Sequence, residues 1–196
     1  MIVRRVAASM FALALGCPAS GTRDELPRAA VFTTDGGAFD PLTASVPIVV
    51  LAFVTPDCPI SNRYAPELQR IASTLPPDRV GAWLVYPDAD VAADAIERHR
   101  SEFALPWPAL RDPEHRLVSA AQARVTPEVA VFVRADDGTR VLAYHGRIDD
   151  RVPEFGRIRA QASEHDLEDA LAAILRGDAP TRASAVAVGC PIDDLR

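Results

Sequence analysis

Apolar positions along this chain fall into two patterns. Residues 48–54 and 80–86 are near-continuous apolar runs, as expected of strands buried on both faces. Elsewhere apolar residues recur at helical spacing. Tyr64, Leu68, Ile71 and Leu75 form one stripe, with Pro66 expected to kink the helix and Pro76-Pro77-Asp78 to stop it. The same pattern predicts a helix over 91–103 and a shorter one over 113–123. Two later apolar segments, 129–133 and 141–145, flank Asp136-Asp137-Gly138 and predict an antiparallel hairpin. A last helix is expected to open at Ser163 in a capping-box-like Ser-Glu-His-Asp, carry Leu167, Leu171 and Leu175, and stop at Gly177. Upstream, residues 30–34 followed by Asp35-Gly36-Gly37 read as a strand and tight turn, the start of an N-terminal hairpin. Strands alternating with helices imply parallel βαβ units.

Composition adds that a chain of 196 residues, 48% hydrophobic and 24% charged, has enough apolar material for one good core. The net charge is -6 and no basic run follows the extreme N-terminus, which argues against nucleic acid as a partner. All 21 basic residues are Arg, so chemistry that needs a lysine, such as a Schiff base or a P-loop, is excluded. A coding-composition bias accounts for that skew.

The first 20 residues read as an export signal. Arg4-Arg5 precede an apolar stretch over 6–15 that is too short for a membrane span, and Ala14 and Gly16 frame a cleavage site. Leu15-Gly16-Cys17 also resembles a bacterial lipoprotein processing site, with Ala14 where such sites usually carry Leu. Two outcomes stay open, both exported and periplasmic or otherwise extracytoplasmic: plain secretion, or a membrane tether through a lipidated Cys17. A linker over 20–24 then leads into a domain expected over 24–178, followed by a tail over 179–196. Either route leaves Cys58 and Cys190 in the mature chain, which in an oxidising compartment reads as a disulfide or a redox couple.

Cys58 is the residue on which the chemistry turns. It sits where the run over 48–54 ends and a helix begins, so its sulfur faces unpaired N–H groups and the positive end of the dipole. A thiol pKa below the free value of roughly 8.5 is expected, with the neighbouring Asp57 carboxylate limiting the depression.

The segment Thr55-Pro56-Asp57-Cys58-Pro59-Ile60-Ser61 resembles thioredoxin-like redoxins of the alkyl hydroperoxide reductase and thiol-specific antioxidant type. The resemblance implies a thioredoxin-like α/β fold, with a central mixed sheet flanked by helices in the order β–α–β–α–β–β–α. It gives Cys58 the attacking position. Ser61 stands where thioredoxins carry their second cysteine, so the usual internal Cys-x-x-Cys disulfide cannot close. Thr55 and Pro59 match peroxiredoxins, whereas Leu51 replaces their upstream proline and Arg124 is out of register with their peroxide-polarising arginine. Thr126-Pro127 matches the cis Thr-Pro that lies beside the active cysteine and offers backbone for β-like pairing with a substrate.

Cys190, in Gly189-Cys190-Pro191-Ile192, is placed by the resemblance as a resolving cysteine that reaches Cys58 in its own or a partner chain of a homodimer. A structural staple and an idle thiol remain alternatives. The implied activity is thiol-dependent oxidoreduction of a disulfide or a peroxide, with no cofactor and no resident metal, and with an external thiol reductant or a disulfide-bearing protein as partner. A second reading is a Cu(I)-binding redox chaperone using Cys58, Cys190 and His145. His99 and His165 read as solvated helix positions, and Asp149-Asp150 as a solvated turn.

Overall fold

A computed structural model describes residues 31–193; the expected export signal and Cys17 lie outside the described residues. β1 (Val31–Thr33) and β2 (Ala38–Phe39) form the N-terminal hairpin, followed by a single 3-10 turn at Pro41–Thr43. β3 (Ile48–Phe53) and β4 (Val80–Tyr86) pair in parallel, and β5 (Ala109–Arg111) adds in parallel on the far side of β4. β6 (Val125–Thr126) precedes the hairpin of β7 (Glu128–Arg134) and β8 (Arg140–Gly146), and β7 runs antiparallel to β3. β9 (Ser184–Ala185) and β10 (Cys190–Pro191) belong to the tail. The main sheet has the order β2-β1-β5-β4-β3-β7-β8-β9, and β10 pairs with β6 in a separate two-stranded sheet.

The helices are α1 (Pro59–Arg63), α2 (Ala65–Ala72), α3 (Ala93–Glu102), α4 (Arg116–Ala121) and α5 (Asp166–Arg176). All six residues of β3 are buried, because its alternate side chains feed two different core layers. Ile48, Val50 and Ala52 join Leu68 of α2, Ile96 of α3 and Leu167, Leu171 and Ile174 of α5. Val49, Leu51 and Phe53 join Leu117, Val118 and Ala121 of α4, together with Ile192 from the tail. The result is a mixed sheet with helices on both faces, the thioredoxin-like fold expected from the sequence. Among the described residues no helix is long and apolar enough to cross a membrane.

Several local expectations are corrected, but the interruption at Pro66 is as expected: Pro66 marks a break that divides the helical stretch after Cys58 into α1 and α2. It lies in the first turn of α2, where its missing N–H costs nothing, and the chain breaks before it at Tyr64. Ser163 does not cap α5, which starts three residues later at Asp166; its hydroxyl and backbone N–H bond the carboxylate of Asp150 instead. Asp149 and Asp150 are therefore no solvated turn. Both are buried, Asp149 accepting from the Tyr64 hydroxyl at 2.7 Å and from Arg151, Asp150 accepting from Ser163, Glu164 and Arg159. His99 is likewise buried rather than solvated, bonded on both ring nitrogens. Gly177 does end α5 as expected, in the left-handed conformation that glycine adopts without a Cβ clash.

Candidate redox site

β3 ends at Phe53, and a short loop leads to Cys58, which is the N-cap of α1 with extended backbone (φ -93, ψ 107). The Ser61 N–H points at its sulfur over 3.4 Å, replacing the oxygen acceptor of an ordinary cap. A hydrogen bond from a helix-start amide favours negative charge on that sulfur. Pro59 follows as the first helical residue and is exposed, while Ser61 is buried with its hydroxyl oxygen unpartnered among the described residues. Thr55 borders the site, and its carbonyl accepts from the Cys58 N–H.

Thr126 meets Cys58 across 68 positions of sequence. The Thr126–Pro127 bond is cis, and the Thr126 carbonyl oxygen lies 3.0 Å from Cys58 Sγ. The Glu128 carboxylate folds back to accept from the Arg124 and Val125 N–H groups at 2.8 and 3.2 Å, which holds the strand before Pro127 in place. Arg124 itself is exposed.

The tail completes the site. Cys190 pairs in antiparallel register with Thr126, Pro191 with Val125, and Cys190 is disulfide-bonded to Cys58 with a Cα–Cα distance of 6.0 Å. The Ile192 N–H donates to the Arg124 carbonyl at 3.0 Å, and its side chain, 6% exposed, packs into the α4 side of the core. With the tail seated, Cys58 is 0% exposed, whereas Cys190 keeps part of its surface. Neither an accessible Cys58 nor a loose tail describes this oxidised form.

A cavity of about 740 Å³ opens beside the disulfide. Asp57, Asp88, Asp90, Glu114 and Asp193 line it, with His115 the basic residue among its walls. His115 and Ser119 bring α4 and the turn before it to the rim. The sequence reading did not find this acidic wall, because its members lie in separate loops that carry no shared pattern.

Beneath the site, Tyr86, His99 and Asn62 form a chain. The Tyr86 hydroxyl meets His99 Nδ1 at 2.8 Å, His99 Nε2 meets the Asn62 side-chain oxygen at 2.8 Å, and the Asn62 amide donates to the Pro56 carbonyl at 2.9 Å. Burial holds the His99 pKa below that of a free histidine, against the carboxylates of Glu102 and Asp57.

His145 does not join the two cysteines. Its Nδ1 lies 3.8 Å from Glu128, and the grouping of metal-ligand atoms found among the described residues is a different one, Glu67, His165 and Glu168. Those carboxylates are already engaged by arginine: Arg70 bonds both, and its hydrogen bond holds Glu67 below the usual carboxylate range.

No family model and no curated protein matches the sequence. Solved structures do. The chain is similar to an uncharacterized conserved protein from Geobacillus kaustophilus at 24% identity and a TM-score of 0.69, covering 85% of this chain and 88% of that one. It is similar to a hypothetical protein from Sinorhizobium meliloti 1021 at 23% identity and a TM-score of 0.62, covering 84% and 91%. A thiol-disulfide oxidoreductase from Bacteroides fragilis NCTC 9343 matches at 14% identity and a TM-score of 0.50, covering 61% of this chain and 88% of its own. At these identities the likeness establishes the fold.

Proposed function

We propose that this protein is a two-cysteine thiol–disulfide oxidoreductase in which Cys58 is the nucleophile and Cys190 the resolving thiol. The observation that carries the reading is the pairing itself, a helix-capping cysteine bonded to a cysteine delivered by the C-terminal tail. Val125 and Thr126, held ahead of the cis Pro127, form the backbone against which the bonded partner lies, and the Ser61 N–H supports charge on Cys58. Thr55 and Pro59 shape the loop that presents it.

The cycle balances without a cofactor. The Cys58 thiolate attacks one sulfur of a substrate disulfide, forming a mixed disulfide and expelling the other sulfur as a thiolate that is protonated by water. The Cys190 thiolate then attacks the Cys58 sulfur and releases the second substrate thiol. The substrate gains two electrons, and the Cys58–Cys190 disulfide that results is reduced by an external dithiol. Because the disulfide closes within one chain, resolution needs no partner subunit. A peroxidase of the alkyl hydroperoxide type has less support, since among the described residues no arginine lines the cavity. A disulfide of this kind persists in an oxidising compartment, which agrees with the export signal read from the N-terminus.

Turnover of a model peptide disulfide with dithiothreitol as reductant tests the proposal. Cys58→Ser should abolish turnover above the dithiothreitol background, while reduced Cys190→Ser, mixed with the peptide disulfide after dithiothreitol is removed, should complete the first step and accumulate a mixed disulfide on Cys58. Undiminished turnover by Cys58→Ser refutes it.

A further inference from the structure

We infer that residues 189–192 are a built-in substitute for the substrate, and that the site accepts extended peptides whose disulfide-forming cysteine is preceded by glycine and followed at the second position by an apolar residue. The inference rests on the proposed redox role of Cys58 and adds the substrate class.

Cys58 is 0% exposed while bonded to Cys190, so a substrate sulfur reaches it only when the tail has left. The mixed disulfide with a substrate joins Cys58 to another cysteine through the same kind of S–S bond. A cysteine of extended polypeptide entering there takes the place that Cys190 vacates, and its neighbours take the places of Gly189, Pro191 and Ile192. The backbone edge of Thr126 and Val125, now paired with Cys190 and Pro191, is what such a strand has to bond.

Each of those places has a defined tolerance. A Cβ at Gly189 would overlap the carbonyl oxygen of Thr126 and stand 2.6 Å from its carbonyl carbon and 3.1 Å from Pro127 N. These are backbone atoms of a segment fixed by Glu128, so they cannot swing aside as the end of a side chain would. The position before the cysteine therefore takes glycine for reasons of space. Pro191 is exposed, and the position after the cysteine is unrestricted by contact. Ile192 is buried against the core, and the next position gains from an apolar side chain.

The tail thereby competes with substrate for one edge. A substrate strand bonded to Thr126 must yield that edge as Cys190 comes in to attack Cys58, so resolution and product release are the same movement. In the exchange the Cys190–Cys58 bond forms, the Cys58–substrate bond breaks, and the substrate leaves as a thiolate that takes up a proton.

The test uses the full chain carrying Gly189→Ala and Cys190→Ser, in which the tail neither bonds Cys58 nor fits the edge, and reduced wild type as a second measurement. Peptides Ala-Val-Gly-Cys-Pro-Ile-Asp and Ala-Val-Ala-Cys-Pro-Ile-Asp, each as a mixed disulfide with thionitrobenzoate, report reaction with Cys58 by release of the yellow thiolate. The glycine peptide should react at least about tenfold faster, the scale of an unrelieved backbone overlap. Both should react alike with a free small thiol in solution. Equal rates with the protein overturn the inference and leave Cys58 a nucleophile. If neither these peptides nor a symmetrical aromatic disulfide reacts with Cys58, the redox reading falls and the inference with it.

Discussion

The ring of His99 on α3 bonds the side chain of Asn62 on α1 over 2.8 Å, and through Asn62 it fastens the Pro56 carbonyl two positions before Cys58. The Asn62 oxygen accepts, so His99 Nε2 carries the proton and Nδ1 accepts from the Tyr86 hydroxyl. That arrangement suits a neutral ring. It ties the loop that presents the nucleophile to a titratable residue.

Stability should therefore fall on mild acidification. Burial lowers the His99 pKa below the ordinary 6.5, while the unfolded chain takes up a proton near that value. A depressed histidine pKa gives stability that is complete above the unfolded value and is lost as pH falls from it towards the folded one. His99→Phe leaves Asn62 and Tyr86 without this partner and should cost about 1–3 kcal/mol at neutral pH. The gap between wild type and variant in urea midpoint should narrow between about pH 7.5 and about pH 5. A gap constant with pH would show that His99 does not carry the effect.

Reduction of the oxidised protein should begin at Cys190. Cys58 has no exposed surface in this state, and the partly exposed Cys190 borders the open cavity. Attack there makes Cys58 the leaving group, whose charge the Ser61 N–H favours. After brief exposure to a monothiol such as 2-mercaptoethanol and an acid quench, peptide mapping should find the adduct on Cys190 and a free thiol at Cys58. Adducts mainly on Cys58 would mean that the tail moves away before attack.

The sequence made legible whatever local pattern controls. The unbroken apolar run of β3 showed a doubly covered strand, and its junction with a proline-started helix pointed to Cys58. Pairs made by distant residues were not legible. His99 and Asp150 read as solvated because their buried partners lie elsewhere in sequence, Asn62 being 37 positions from His99 and Ser163 13 from Asp150. β5, β6 and β10 have three residues or fewer, too short for a period to register, and exist because a neighbouring edge is there to pair with. The Cys58–Cys190 separation of 132 positions carries no local trace either; the pairing was suggested by the even pair of cysteines left after export and by the family resemblance. The glycine before Cys190 was visible, but the backbone that fills the space of its Cβ was not.

Ser61→Cys should redirect the disulfide. The Ser61 amide lies 3.4 Å from Cys58 Sγ, and its hydroxyl is buried without a hydrogen-bond partner among the described residues, so a sulfur at this position sits one turn along the same helix as Cys58. The introduced thiol is fixed by the helix, whereas Cys190 is recruited by a two-residue strand and one buried isoleucine at the end of a loop of 132 positions. The short loop should win in most molecules. Under mild oxidation, Cys190 should then become open to alkylation and the tail to proteolysis, with the protein still folded by circular dichroism. Cys190 that stays protected in the oxidised variant would show that tail seating outweighs proximity along the helix.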